Sequence, residues 1–325
     1  MVNEVTHQSG KGEPNRTYAL KRLKHKVLKD SGEFRYGVMD LAIEAAFLAN
    51  LQHPNIIRIH GISTQAFGDN SNERDVGEGA YGVGEELRGD GFYLVLDVLS
   101  ESLTDRIVRW KTTQHRVVAA RLKKSTNTSG GASNGGSLRS LLSFQSNQEE
   151  RRLRTECLLE RIRTLLPIAR ALEYLHCLKF MYRDLKPDNV GFDRTTGVIK
   201  LFDFGMASTS RVRCDPSGSR RYMAPEAAQR QYYSRLVDVY SFGIVLWEVC
   251  SAVDAPGRRP YDELNRDQHY HKVILGTTRP KMEHWWPRDL QALLRQCWCK
   301  APKQRLPFSR IVPALESIVD SHSSM

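Results

Sequence analysis

The stretch VDVYSFGIVLWEV, residues 237–249, is apolar on nearly every side of the helix it would form. A helix on a protein surface keeps one polar face, so this one has to run through the interior of a folded body with other helices around it. It is no membrane span: its apolar run, residues 242–250, is half of the roughly 18 residues a span requires and contains Glu248. Partners for it are legible. Residues 158–176 carry Leu158, Ile162, Leu165, Ala169 and Leu172 on one stripe, and TRPKMEHWWPRDLQALLRQCW and FSRIVPALESIV read as further helices. A hydrophobic fraction of 40% over 325 residues supplies the apolar surface for such a core and excludes wholesale disorder.

Charge divides the rest. Lys plus Arg number 48 against 37 Asp plus Glu, a net +11, yet residues 106–154 alone hold eleven basic residues and two acids. The same stretch contains STNTSGGASNGGS (125–137), whose Gly and Ser content reads as flexible linker, so residues 106–154 are taken as a basic insertion. Its removal leaves two blocks. In residues 1–99, TYALKRL, IIRIHGI and FYLVLDVL read as strands, and residues 38–51 read as a helix that ends at the proline of HPNI. Residues 100–325 are mostly helical, giving an α+β class. Six scattered cysteines suit reduced thiols rather than a disulfide framework, and MVNEVTHQSG lacks a secretory pattern. The expected location is therefore the cytoplasm, with entry to the nucleus left open.

Glu44 lies on the apolar face of its helix, with Leu41, Leu48 and Leu51. A carboxylate facing a core needs a cation, and Lys21 in mid-strand is the natural one; on these residues alone Glu44 is either so paired or solvated at the edge of the stripe. Further along stands Tyr182-Arg183-Asp184-Leu185-Lys186-Pro187-Asp188-Asn189, and Asp203, fourteen residues after Asn189, opens Asp203-Phe204-Gly205. Asn189 and Asp203 offer hard oxygen ligands suited to magnesium.

In this order the chain resembles the protein kinases: YALK for the strand lysine, Glu44 for the helix glutamate, YRDLKPDN for the catalytic loop, DFG at 203–205, Ala224-Pro225-Glu226, and DVYSFG at 238–243. The resemblance implies a two-lobed kinase fold, with a small β-rich lobe that begins just before the lysine strand and a helical large lobe. It implies transfer of the ATP γ-phosphoryl group to Ser or Thr of protein substrates. Lys21, kept in place by Glu44, would hold the α- and β-phosphates; Asp184 would accept or orient the substrate proton; Lys186 would stabilise the transferring group; Asn189 and Asp203 would bind Mg²⁺. Leu96 falls at the gatekeeper position, Asp97, Val98 and Leu99 at the hinge, and Val2 where the family keeps a valine against the adenine. Asp238 would brace the catalytic loop, Glu226 would pair with Arg305, and Gly205 belongs to the DFG turn. Lys186 and Ser219 fit the Ser/Thr class, and LWEVCS with CWCKAPKQRLPF is most similar to the tyrosine-kinase-like branch. Arg183 implies regulation by phosphorylation at Ser208, Thr209, Ser210 or Ser217.

Two departures stand out. No G-x-G-x-x-G precedes Lys21, which suggests a chain read from an internal methionine, or alternatively a pseudokinase scaffold. Gly77-Glu78-Gly79-Ala80-Tyr81-Gly82-Val83 has the letters of that loop but follows Glu44, and residues 67–90 are read as a hairpin insertion. His of the family's HRD is Tyr182 here. The basic insertion would meet an acidic partner or an anionic surface. Nucleic acid is disfavoured, because the aromatics available for stacking there reduce to Trp110 and Phe144.

Overall fold

The computed structural model describes residues 2–7, 16–22, 31–62, 93–110, 136–209, 218–253 and 259–323, with backbone alone for 2–7, 16, 31–36 and 136–147. The chain divides into two compact units: Met1–Glu101 with Val190–Ala207, and Ser102–Asn189 with Ser208–Met325. The sequence draws its division at residues 99 and 100; in the structure residues 190–207 lie in the first unit. Hydrogen bonds put them there. The Ile57 N–H donates to the Leu201 carbonyl (2.9 Å), the Leu201 N–H to Asn55 O (2.8 Å), and Asn55 Nδ2 to Ile199 O (2.8 Å).

In the first unit β1 (Val2–His7), β2 (Arg16–Arg22), β3 (Ile59–Ile62) and β4 (Tyr93–Leu96) make an antiparallel sheet in the order β1-β2-β4-β3. Helix α1 (Ser31–Ala49) packs on β3 and β4 and buries Leu41, Ala45 and Leu48. A second sheet joins β5 (Leu99–Ser102), β6 (Val190–Asp193) and β7 (Ile199–Leu201). Two strand expectations are corrected. FYLVLDVL is not one strand but β4 and the start of β5, and IIRIHGI contributes only its last four residues to β3.

The break falls at Asp97. Its carboxylate accepts from the Arg58 N–H (2.9 Å), His60 Nε2 (2.8 Å) and Lys200 Nζ (2.6 Å). Lys200 also donates to Asp193 (2.9 Å), so one ammonium ties the junction between β4 and β5 to β6 and β7.

The second unit is helical. It contains α2 (residues 103–110), α3 (Gly136–Cys177), α4 (Pro225–Ala228), α5 (Leu236–Ser251), α6 (Arg266–His269), α7 (Arg288–Cys297) and α8 (Phe308–Ser323). Helix α5 is buried from Val237 to Ser251, as its all-round apolar sequence requires, and α3 and α7 pack against it. The approach of α7 is so close that a Cβ on Gly243 would lie 2.7 Å from Cys297 Cβ. Residues 278–287 are not helical, contrary to expectation: Pro280 and Pro287 interrupt them and α7 starts only at Arg288. Among the described residues no helix is long and apolar enough to cross a membrane.

The boundaries of the basic insertion, 106–154, also need correction. Leu103, Ile107 and Trp110 form a buried stripe on α2, and α3 begins at Gly136, within the stretch read as linker, with Leu153 buried. Trp110 lies under the Arg161 guanidinium, 3.8 Å from its ring centre, so it is packing rather than a stacking platform. Phe144 and residues 111–135 lie outside what is described of side chains and backbone respectively, as does the hairpin at 67–90.

Burial works to raise the pKa of Asp97, but the hydrogen bonds from His60, Lys200 and the Arg58 N–H outweigh it and hold the carboxyl down at about 2. A carboxyl depressed on folding adds stability above its unfolded pKa of roughly 3.9 and loses it as the pH falls through the folded value. Asp97→Asn is therefore expected to cost about 1–2 kcal/mol at pH 7, with about half of that difference gone at pH ~3, read by urea denaturation. An equal difference at both pH values would contradict the assignment.

Candidate active site

In the first unit the register of β2 presents Lys21 between two carboxylates. Its Nζ donates to Glu44 Oε2 at 2.6 Å and to Asp203 Oδ1 at 2.8 Å. Glu44 is 1% exposed, which settles the choice between paired and solvated in favour of the pair. Burial lowers the Lys21 pKa, but the two carboxylates overcome it and leave the ammonium above its ordinary value. Burial raises the Glu44 pKa against the pull of Lys21. Glu44 Oε1 also accepts from the Phe204 N–H (3.3 Å), which fixes the backbone beside Asp203. Asp203 has a φ of 64°, a left-handed conformation that costs a non-glycine residue about 1 kcal/mol or more. Gly205 carries no such strain, and a Cβ there would make ordinary contact with Asp203 Oδ1 at 3.7 Å.

In the second unit the centre is Asp184. Oδ2 accepts from Lys186 Nζ (2.6 Å) and Asn189 Nδ2 (2.9 Å), and Oδ1 from the Ser219 N–H (3.0 Å) and Oγ (3.1 Å). Asn189 Nδ2 also donates to the Asp184 carbonyl (2.9 Å). Gly218 makes the approach of Ser219 feasible: its φ is 108°, and a Cβ there would stand 2.7 Å from the Arg183 carbonyl. Arg183, with φ 71°, is the second strained non-glycine residue of the candidate set. The carboxylate of Asp238, wholly buried in the first turn of α5, accepts the N–H groups of Tyr182 (2.9 Å) and Arg183 (2.7 Å) and is held by His176 Nε2 (2.9 Å).

The Glu226 carboxylate meets Arg305 in two parallel bonds, Nη1 to Oε1 at 2.6 Å and Nη2 to Oε2 at 2.8 Å. Arg305 also donates to the carbonyls of Leu236 and Cys299. Leu96 is buried in β4 opposite Ala19, the Val98 carbonyl accepts the Arg194 N–H (2.9 Å), and Leu99 opens β5. The backbone of Val2 pairs with that of Lys21. Ser208 and Met181 exchange backbone hydrogen bonds, while Ser210 and Ser217 lie outside the described residues.

Two residues escaped the sequence reading. Asp40, one turn before Glu44 on α1, is a third carboxylate near Lys21; burial, and then Asp203, raise its pKa. Its i−4 relation to Glu44 was the available signal. His176 gave none, since its contact with Asp238 spans 62 residues.

The residues fit magnesium. Asn189 uses only its Nδ2 toward Asp184, and among the described residues no donor reaches its amide oxygen. Asp203, 44% exposed, keeps Oδ2 without a donor among the same residues. Each is a hard oxygen, an amide in the second unit and a carboxylate in the first, and each by itself has the chemistry of a Mg²⁺ ligand.

Comparison with known proteins bears on this geometry. The protein kinase domain family matches residues 5–314. The chain is 36% identical over 159 residues to the serine/threonine/tyrosine-protein kinase HT1 of Arabidopsis thaliana, covering 48% of this chain and 39% of that protein. It is 32% identical over 161 residues to the serine/threonine-protein kinase STY17 of the same plant, covering 49% and 27%. With mitogen-activated protein kinase kinase kinase 7 of Bos taurus the identity is 33% over 159 residues, covering 47% and 27%. The match thus spans well under half the length of each of these relatives.

A buried ion pair is strongly coupled, and removal of one partner strands the other charge. Arg305→Met is expected to destabilise the protein by about 3–5 kcal/mol, while Glu226→Leu combined with Arg305→Met costs much less than the sum of the two single changes. Additive losses in a double-mutant cycle of denaturant midpoints would contradict this.

Proposed function

Because the chain belongs to the protein kinase family, we propose that it transfers the γ-phosphoryl group of ATP to serine or threonine hydroxyls of protein substrates. The observation that carries the reading is the set of donors on Asp184: Lys186, Asn189 and Ser219 fix both carboxylate oxygens. A carboxylate so held accepts or orients the proton of an incoming hydroxyl without reorganising. Lys186, beside it, contributes a fixed positive charge toward the transferring group. Ser219 places a hydroxyl on the same carboxylate, in keeping with the Ser/Thr class, and the placement near the tyrosine-kinase-like branch stands with it.

Lys21 would anchor phosphate oxygens of ATP, and Glu44 keeps its ammonium aimed and charged. Asp203 and Asn189 would each lend an oxygen to Mg²⁺, which when bound neutralises charge developing between the β- and γ-phosphates. Leu96, Asp97, Val98, Leu99 and Val2 are proposed to line the adenine. The basic stretch that begins beyond α2 is proposed to meet an acidic partner or anionic surface, in the cytoplasm, by charge attraction that fades over a Debye length of about 8 Å at physiological salt.

The test is transfer of labelled phosphate from ATP to a generic basic protein. Asp184→Asn is expected to lower turnover by about 10²-fold to 10⁴-fold, the usual contribution of a positioned base. Asp203→Ala is expected to abolish Mg²⁺-dependent turnover with the circular dichroism spectrum retained. Wild-type turnover in either variant would refute the reading.

A further inference from the structure

Next to Ser219 the second unit contains a cavity of about 550 Å³, lined among others by Arg220, Met223, Arg266, Asp267, His269 and Ile274. Arg220 directly follows Ser219, whose N–H and Oγ both bind Asp184, so one lining residue of the cavity is the chain neighbour of a residue that holds the proposed catalytic carboxylate. The far wall is the turn of α6 and the π-helix Tyr270–Leu275 that continues it, a wide helical geometry that recurs at functional sites.

The wall has unfinished polar chemistry. His269 is 2% exposed, yet its Nε2 has no hydrogen-bond partner. Burial, and then the charges of Arg220, Arg221 and Arg279, hold its pKa down at about 4, which leaves the ring neutral in a field of guanidinium groups. Two of these are committed elsewhere. Arg221 is paired with Asp262 (2.8 Å) and donates to the Pro260 carbonyl (2.6 Å), while Arg279 donates to the carbonyls of Trp298, Val273 and Thr278. Arg220 and Arg266 are exposed and have no ion pair or side-chain hydrogen bond among the described residues. Asp267 offsets one of their charges, and the balance of the lining stays positive above a floor of Met223 and Ile274.

We propose that this cavity receives an acidic side chain of the protein substrate, a glutamate or aspartate within about three residues of the phosphorylated hydroxyl, bound by Arg220 and Arg266 in the wall completed by His269. An extended segment advances about 3.3 Å per residue, so the neighbours of a hydroxyl at Asp184 are the groups that come to a cavity beginning at Arg220. A carboxylate there gains two charge-assisted hydrogen-bonding partners and offsets the field on His269. The occupant's being a substrate rests on the kinase reading; its being an acidic peptide rests on the cavity.

The test uses the full chain and two fluorescent peptides, each with one serine followed by three glutamates or by three glutamines, titrated without ATP. Wild type should bind the glutamate peptide at least about tenfold more tightly, and the preference should fall below about threefold in the Arg220→Gln, Arg266→Gln double variant. Both replaced residues are exposed, so folding is retained. In a parallel assay with ATP and Mg²⁺, the catalytic efficiency toward the glutamine peptide should be the same in both proteins. Equal binding of the two peptides by wild type, or an undiminished preference in the double variant, would overturn the proposal. Selective binding without phosphate transfer to either peptide would refute the kinase reading and uphold this one. Transfer to both peptides with no selectivity would do the reverse.

Discussion

The buried carboxylate of Asp238 is the contact on which the arrangement of the second unit turns. It accepts two successive backbone N–H groups, those of Tyr182 and Arg183, and is closed by His176. Hydrogen bonds to an ionised acceptor are worth about 1.5–3 kcal/mol each, enough to offset the cost of Arg183 at φ 71°. With that strained residue fixed, Asp184 has no freedom to swing away from Lys186, Asn189 and Ser219. The strain sits immediately before the proposed base, and the support for it comes from α5, the helix with the least solvent access in the chain's described parts.

The first unit uses a different device, a cation held between two carboxylates, and uses it twice. Lys21 joins Glu44 and Asp203; Lys200 joins Asp97 and Asp193. In both cases burial disfavours the ammonium and the flanking carboxylates reverse the balance, so the pKa rises. The two clusters differ in what remains open. At Lys200 the partners are 13% and 10% exposed and serve the sheet junction, whereas Asp203 at 44% keeps an oxygen available for a ligand. The same pairing is closed in one place and leaves a carboxylate oxygen open in the other.

Much of this was legible in the sequence because it is local. The stripe around Glu44, the lysine in mid-strand and the spacing of Asp184, Asn189 and Asp203 are patterns within short windows. What was hidden depended on contacts across long separations. Nothing near Asp97 announces that His60 and Lys200 will end a strand there, and nothing near His176 points to Asp238. The basic stretch misled for a further reason: its charge drew attention from the apolar spacing of Leu103, Ile107 and Trp110, which decides the packing of α2 regardless of the lysines and arginines between. The glycines of the linker were read by composition, and α3 nevertheless begins at Gly136, because a helix anchored by the packed positions from Leu153 onward propagates beyond them at little cost per residue.

Asp238 holds the strained loop in place through the N–H groups of Tyr182 and Arg183. Hydrogen exchange of the Tyr182 and Arg183 amides in Asp238→Asn, measured beside amides of α8 as an internal reference, tests this. An asparagine offers one acceptor oxygen and presents donors to the other N–H, so at least one of the two amides should exchange at least about tenfold faster relative to the reference, a loss of about 1.4 kcal/mol of protection. Unchanged exchange at Tyr182 and Arg183 in a folded Asp238→Asn protein would show that the loop keeps its conformation without this carboxylate, and would contradict the account.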